Sequence, residues 1–481
     1  MHRPVLFVVG ILLAILGASM VFPMLVDLHF KNQGWIVFAS CGFLTCFAGG
    51  MLVFTMSSAE KVTISIRQGF MLTSLCWLTL SLFASFPLWF SELELSFTDA
   101  LFEAISGITT TGSTVIVGLD SAPPGLLMWR SILQWLGGIG IIVTALSMFP
   151  FLKLGGMQLF KTESSENEKA VPRAAELALF ITIIYLFLTF VCTFAYRVSG
   201  LSMFDAIAHA MTTIATGGFS TRDASFGAFE GTYADIVATV FILISALPFV
   251  LYLKLLKGDR VSLLADSQVR VFLSIVFVAV GLLTLYKVSY MGLDLLHSLR
   301  QAVFHVTVII TGTGYGLSDF QEWGSFPTIL MFCLMFIGGC AGSTTCSVKV
   351  FRYQILFETL KVQLKRLIHP HGVFTIKFNN SPVSDSVLLS VTGFVFLYFL
   401  TFALIAVLLF ITGLDPVTAL SGAATSISNV GPGLGNTIGP SGTFKDLPDI
   451  SKWILSLGMM LGRLELFTLY VVITPLFWRN R

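Results

Sequence analysis

Long uninterrupted apolar runs dominate this chain. Ten of them reach the roughly 20 residues that a helix needs to cross a bilayer: 4–26, 35–55, 69–90, 129–151, 175–198, 234–256, 271–291, 325–348, 386–412 and 452–477. Four shorter semi-apolar segments, near 98–109, 203–215, 297–311 and 416–428, fall between runs and are too short to cross. They predict re-entrant half-helices, since irregular backbone at membrane depth is tolerated only where it is buried in protein or lines water. Asp99 and Asp205 mark the starts of the first two half-helices, and Asp415-Pro416 marks the fourth. A carboxylate there caps free N–H groups, and proline's missing N–H costs nothing. The third half-helix is expected to lack an aspartate and to carry Ser298, Arg300 and His305 instead.

A short glycine-bearing segment follows each half-helix. The four read Thr110-Thr111-Gly112-Ser113, Thr216-Gly217-Gly218-Phe219, Thr313-Gly314-Tyr315-Gly316 and Asn429-Val430-Gly431-Pro432-Gly433. Aligned on Gly112, Gly217, Gly314 and Gly431, they recur about every hundred residues. The predicted fold is an all-α polytopic membrane protein. Two leading helices (1–56) precede four repeats of membrane helix, pore helix and membrane helix (69–151, 175–256, 271–349 and 386–478) around a central pseudo-fourfold pore. Each repeat crosses twice, so all four share one orientation and their loops can close into one ring.

Composition agrees. Of 481 residues, 55% are hydrophobic and 11% charged, with a mean hydropathy of +0.88, whereas a soluble protein carries about a quarter charged residues. No polar stretch is long enough for a soluble domain. Most of the 28 Lys and Arg cluster between alternate runs, for example Lys153, Lys161, Lys169, Arg173, Lys254, Lys257, Arg260 and Lys361, Lys365, Arg366, Lys377. By the positive-inside rule both termini are then cytoplasmic and the glycine segments lie toward the outside. Acids gather on that outer side, among them Glu103, Asp120, Asp205, Asp223 and Asp235, and together could concentrate cations. The seven cysteines form no CxxC and read as small buried apolar residues. His209, His297 and His305 sit in different half-helices and form no metal-binding motif, which argues against an intramembrane enzyme. No nucleotide or nucleic-acid motif is present, and no cofactor is expected in this chain.

The residues that carry chemistry follow from the ring. A dehydrated cation needs a cage of oxygens, which backbone carbonyls supply where glycine permits unusual angles and close approach. Thr110, Thr111, Gly112, Thr216, Gly217, Thr313, Gly314, Asn429, Val430 and Gly431 are therefore the expected ion-binding residues. The third segment, Thr-Gly-Tyr-Gly, comes close to the Thr-Val-Gly-Tyr-Gly of potassium channel filters. The loops are unequal, so fewer well-formed sites are expected than in a symmetric channel. In the eighth run, Gly338, Gly339, Gly342, Ser343, Thr344 and Thr345 predict a helix break and a mobile segment beneath the filter. Arg463, inside the tenth run, is expensive at that depth and reads as a barrier to cations. Glu465 does not share its face, and Lys349 is a candidate partner for Glu465.

These features together resemble the Trk/Ktr/HKT superfamily of potassium transporters, in its bacterial TrkH-like branch, over essentially the whole chain. Besides the four loops, the resemblance rests on Trp135-Leu136-Gly137-Gly138-Ile139-Gly140, the Gly338–Thr345 run and Gly462-Arg463-Leu464-Glu465. It implies that Gly112, Gly217, Gly314 and Gly431 are filter glycines, and that glycine at 112 goes with potassium rather than sodium. It further implies that 338–345 is an intramembrane gating loop met by Arg463. Residence in the bacterial inner membrane, homodimers with one pore per protomer and a cytosolic regulatory ring of nucleotide-binding (RCK) domains are implied too. That ring would dock on 153–173 and 349–377. Channel-like conduction and proton- or sodium-coupled symport both remain open at this point.

Overall fold

The computed structural model describes residues 3–57, 65–148, 170–259, 261–379, 381–464 and 466–479. Its architecture is helical throughout. Helices α1 (Arg3–Ser19) and α2 (Val21–His29) make one long span, and α3 (Trp35–Met56) returns beside it. The pair packs tightly because glycines face each other: a Cβ on Gly10 would lie 2.8 Å from the Gly49 carbonyl, and one on Gly17 would lie 2.7 Å from Cys46.

The remaining helices follow one plan four times. The first unit holds α4 (Ile66–Trp89), α5 (Phe97–Ile108) and α6 (Pro124–Met148). The second holds α7 (Ala170–Val198), α8 (Met203–Ile214) and the broken pair α9 (Ala234–Ser245) and α10 (Phe249–Leu256), bent by 87°. A short α11 (Val261–Ala265) leads to the third, with α12 (Ser267–Met291), α13 (Leu295–Ile310) and α14 (Ser325–Leu334). Helix α15 (Val350–Ile368) and a two-residue hairpin, β1 (Lys377–Phe378) with β2 (Ser381–Pro382), connect to the fourth. That unit holds α16 (Asp385–Ile411), α17 (Pro416–Ser428), the single turn α18 (Gly435–Ile438), α19 (Asp449–Arg463), α20 (Phe467–Ile473) and α21 (Pro475–Trp478).

The long helices turn apolar faces outward, as a lipid-facing surface requires. Phe43, Phe54, Phe190, Phe277 and Phe396 are all exposed, and the windows in α1–α2 and α16 reach mean hydropathies of 2.8 and 2.9. The half-helices α5, α8 and α17 are mostly buried inside this wall, and α13 is buried chiefly from Ala302 onward.

Their starts correct the expected caps. Ser96 and Ser202, not the aspartates, are the N-caps of α5 and α8, each accepting from the N–H of Asp99 or Asp205 at 3.1 Å. Each serine hydroxyl in turn donates to that aspartate's carboxylate, at 2.8 and 2.7 Å. The third half-helix does have its aspartate. It begins two residues earlier than expected, and Asp294 accepts from Leu296 and His297 at 3.0 and 3.1 Å. Asp415 caps α17, with Pro416 in its first turn. The eighth apolar run is helical only to Leu334, and then leaves helical geometry until Val350, as its glycines and hydroxyls predict.

Candidate functional site

The four half-helices converge on four loops whose backbones repeat the same hydrogen bonds. The N–H groups of Thr110, Thr216, Gly312 and Asn429 reach back three residues, to Gly107, Thr213, Ile309 and Ser426. Those of Thr111, Gly217, Thr313 and Val430 reach back five, to Ser106, Thr212, Val308 and Thr425, at 2.8–3.1 Å. The chain therefore leaves each helix by one route. Left-handed backbone then occurs at alternate residues: Thr110 and Gly112 (φ 53° and 86°), Thr216 and Gly218 (52° and 84°), Gly312 and Gly314 (72° and 71°), Asn429 and Gly431 (53° and 107°). Such alternation lets successive carbonyls share one side of the strand.

This pattern moves the register of the second loop. Gly218, rather than Gly217, occupies the place of Gly112, Gly314 and Gly431. Gly217 stands with Thr111, Thr313 and Val430, between the two left-handed positions. The glycines also show how the ring closes. A Cβ on Gly112 would strike the Gly217 carbonyl, one on Gly218 the Thr313 carbonyl, and one on Gly314 the Val430 carbonyl. A Cβ on Gly431 would meet the Thr111 carbonyl at 2.9 Å, which returns the circle to the first loop. Side chains cannot enter that space, so glycine is needed there both for its angles and for its lack of bulk.

A hydrogen-bonded collar lies around part of the ring. Glu103 of α5 and Arg130 of α6 form a fully buried ion pair at 2.8 Å. Glu103 also accepts from Thr114 Oγ1 and Val115 N at 2.9 Å, and Arg130 donates to the Ser220 carbonyl at 2.8 Å. One helical turn along α6, Gln134 donates to the Gly217 carbonyl at 2.5 Å and accepts from Phe219 N at 3.0 Å. Tyr315 turns away from the ring, and its hydroxyl bonds Thr212 and Thr213 of α8 at 2.6 and 3.0 Å. Ser113 donates to the Gly431 carbonyl at 2.8 Å. Glu103 is thus spent inside the protein, and Asp235 is held by Arg300 through two bonds of 2.6 Å. Neither belongs to the exposed acids expected at the mouth. His209 bonds the Asp205 carbonyl and Ser220 Oγ, at 2.8 and 2.9 Å, and His305 bonds Ser318 at 3.2 Å.

Beneath the ring lies a layer of broken helices. The segment between α14 and α15 lies against the break between α9 and α10. Cys340 N and Thr344 N donate to the Ala246 and Ser245 carbonyls at 3.0 and 3.4 Å, and Phe249 N donates to the Gly342 carbonyl at 3.0 Å. Each break supplies the partners that the other has lost, which is how irregular backbone survives at this depth. The segment touches the loops from below: Thr216 Oγ1 donates to Thr344 Oγ1 at 3.3 Å, and Thr110 Oγ1 lies 3.8 Å from Cys346 Sγ.

Arg463 ends α19 and points into this layer. It donates to the Thr344 carbonyl at 3.2 Å, to the Gly137 carbonyl of α6 at 3.0 Å, and to Cys346 Sγ. Arg463 and the 338–345 segment are therefore in direct contact. Lys349 donates to the Thr345 carbonyl, to Thr345 Oγ1 at 2.8 Å and to Ser343 Oγ at 3.4 Å. Glu465 and the 153–169 part of the expected docking loop lie outside the described residues. Sequence reasoning missed Gly218, Gln134, the Arg130–Glu103 pair and Cys346, which it took for an inert apolar residue. The Arg130–Glu103 pair did leave a signal, since an arginine inside an apolar run calls for a partner.

The whole chain has relatives. The family model TrkH, described as a cation transport protein, matches residues 36–477. The Trk system potassium uptake protein TrkI of Halomonas elongata is 44% identical over 479 residues, covering 99% of this chain and 97% of that protein. The Trk system potassium uptake protein TrkH of Escherichia coli K12 is 38% identical over the full length of both chains. The crystal structure of the potassium transporter TrkH from Vibrio parahaemolyticus superposes over both full chains with a TM-score of 0.92 at 36% identity.

Proposed function

The chain belongs to the TrkH family of cation transport proteins, and from that premise we propose that it takes up potassium through the ring of four loops. The observation that carries this reading is the fourfold recurrence of paired left-handed residues, each glycine packed on the next loop's carbonyl. Carbonyl oxygens replace the ion's water shell, and the half-helix C-termini aim their partial negative charge at the same place. The rung formed by Thr110, Thr216, Gly312 and Asn429 has three different side-chain chemistries, so its sites are not equivalent.

The 338–345 segment and Arg463 form the closure. The segment lies against the lower rung, and a guanidinium held there repels a cation. The bias of Lys and Arg supports cytoplasmic termini and loops on the outer side, and transport then runs inward across the cytoplasmic membrane. Regulation comes from a cytosolic ring of nucleotide-binding (RCK) domains. Lys361, Lys365 and Arg366, near the end of α15, and Lys377 offer it a basic surface. The active species is a homodimer with one pore in each protomer.

The test is rubidium-86 uptake into liposomes holding the purified chain, with potassium and sodium as competitors. Competition by potassium and weak competition by sodium supports the filter. Equal competition by both overturns it. Arg463→Ala should raise uptake without the partner by about fivefold or more. Reduced uptake at normal protein yield would instead make Arg463 a structural tether. Dependence of uptake on an imposed proton or sodium gradient would replace channel-like conduction with symport.

A further inference from the structure

The lower rung of the filter is where the four loops meet the elements beneath and beside them, and they do so differently. Thr110 and Thr216 touch the intramembrane segment through their hydroxyls. Gly312 has no side chain to offer. Asn429, in the same left-handed position, reaches sideways. Its Nδ2 donates to Thr111 Oγ1 of loop one at 2.8 Å and to the Met459 carbonyl of α19 at 2.9 Å. Thr111 Oγ1 is itself bonded to Thr109 Oγ1 at 2.7 Å. One buried amide thus joins loops one and four to the last turn of α19.

That turn carries Arg463. In an α-helix the carbonyl of Met459 faces the N–H of residue 463, so Asn429 grips the helix at the level of the arginine. Gly462 makes the grip close. A Cβ there would strike the Ile427 carbonyl and lie 2.6 Å from Asn429 Oδ1, so α19 packs directly on the end of α17. Helix α19 ends at Arg463, one turn beyond the grip. Asn429 Oδ1 and Arg463 Nε, both buried, have no hydrogen-bond partner among the described residues. Buried groups left without a partner are costly.

We propose that Asn429 is a positioning residue that couples the filter to the closure: it holds the last turn of α19, and with it Arg463, against loops one and four. A displacement of the Arg463 turn when the intramembrane segment moves is passed through the Met459 carbonyl to Asn429 and on to Thr111. This rests on the reading of Arg463 as part of the closure. It adds that the filter and the closure are mechanically one unit at the first and fourth loops.

The experiment is a cycle of Asn429→Gly, Arg463→Ala and the double variant, measured by partner-free rubidium uptake and by the rubidium-to-sodium ratio. Glycine keeps the left-handed backbone, as Gly312 does in loop three, so the loop survives without the tether. Asn429→Gly should raise partner-free uptake about 3- to 10-fold, and the double variant should not exceed the stronger single one. Asn429→Asp, which keeps the shape and loses the donor, should behave like the glycine variant. A residue that only stabilised the fold would lower yield without moving gating. An unchanged uptake in Asn429→Gly, or effects that multiply in the double variant, overturns the coupling. If Arg463→Ala alone has no effect, it is the closure reading that fails.

Discussion

The four glycine loops and the broken helices beneath them are both irregular backbone inside the helical wall, yet they solve the problem of unpaired groups in different ways. Each filter loop returns its first N–H groups to its own half-helix, so every repeat completes itself before it meets its neighbours. The layer below has no such independence. The N–H groups of Cys340 and Thr344 belong to the third repeat, and their acceptors, Ser245 and Ala246, belong to the second. Arg463 comes from the fourth and also holds Gly137 of the first. The backbone shape of each loop is thus set within its own repeat, and side chains such as Gln134 and Asn429 tie it sideways. A layer built from mutual debts between repeats can exchange its partners as a set, which suits a closure.

Substitutions can break or sharpen this contrast. The largest effect is expected at the collar. Glu103→Ala leaves Arg130 buried without its counter-charge and should cost about 3–5 kcal/mol, read as a lower unfolding temperature in detergent or loss of monodisperse protein. Glu103→Gln, which keeps an acceptor, should cost less.

The filter rung comes next. Gly218→Ala must both strain a left-handed backbone and strike the Thr313 carbonyl, and it should lower the rubidium-to-sodium selectivity at least about tenfold. Gly217→Ala presses on the Gln134 side chain instead, which can yield, and its effect on selectivity should be smaller. Equal effects would put the two glycines back in doubt as to register.

In the lower layer, Gly342 has φ +77° and open space around it. Gly342→Ala should therefore cost only backbone strain of about 1 kcal/mol, leave the fold intact and shift partner-free uptake by about fivefold. Unchanged uptake at normal protein yield would remove the segment from the closure.

The smallest effect is at the outer rim. Asp223 accepts from the N–H groups of Gly118, Leu119 and Asp120 at 2.9, 3.0 and 3.4 Å, tying loop one to loop two. Partial burial opposes its ionisation, but these N–H groups outweigh it and hold the carboxyl below the usual carboxylate range. The stabilisation is therefore complete above the unfolded value of about 4 and fades as pH falls through the lower folded value. Asp223→Ala should cost about 1 kcal/mol at neutral pH and nothing in strong acid, read by unfolding temperature against pH.

Much of this was legible because it is local. Apolar runs of spanning length, short half-helices and glycine after each of them follow from periodicity and composition. So does the break after Leu334, where glycines and hydroxyls crowd a helix that they weaken. The misreadings share a cause. Asp294 was overlooked because the third half-helix is longer than its siblings, and only the backbone shows where it starts. Two adjacent glycines in Thr216-Gly217-Gly218 cannot be told apart by type, and the left-handed angle at Gly218 decides between them. Cys346 looks like any small buried residue until a guanidinium from a segment over a hundred positions away is set against its sulfur.

The sequence by itself determined that this chain spans a membrane in four like-oriented repeats, each ending in a loop able to present carbonyls. Hydropathy, helix length and the conformational freedom of glycine act over a few turns and need no neighbours. Only the tertiary structure decided which carbonyl faces which glycine, that Glu103 serves Arg130 rather than the mouth, and that Arg463 meets Thr344. Those contacts join residues from different repeats. Their energies come from burial and hydrogen bonding across the ring, which exist only once four separate units have closed around one axis.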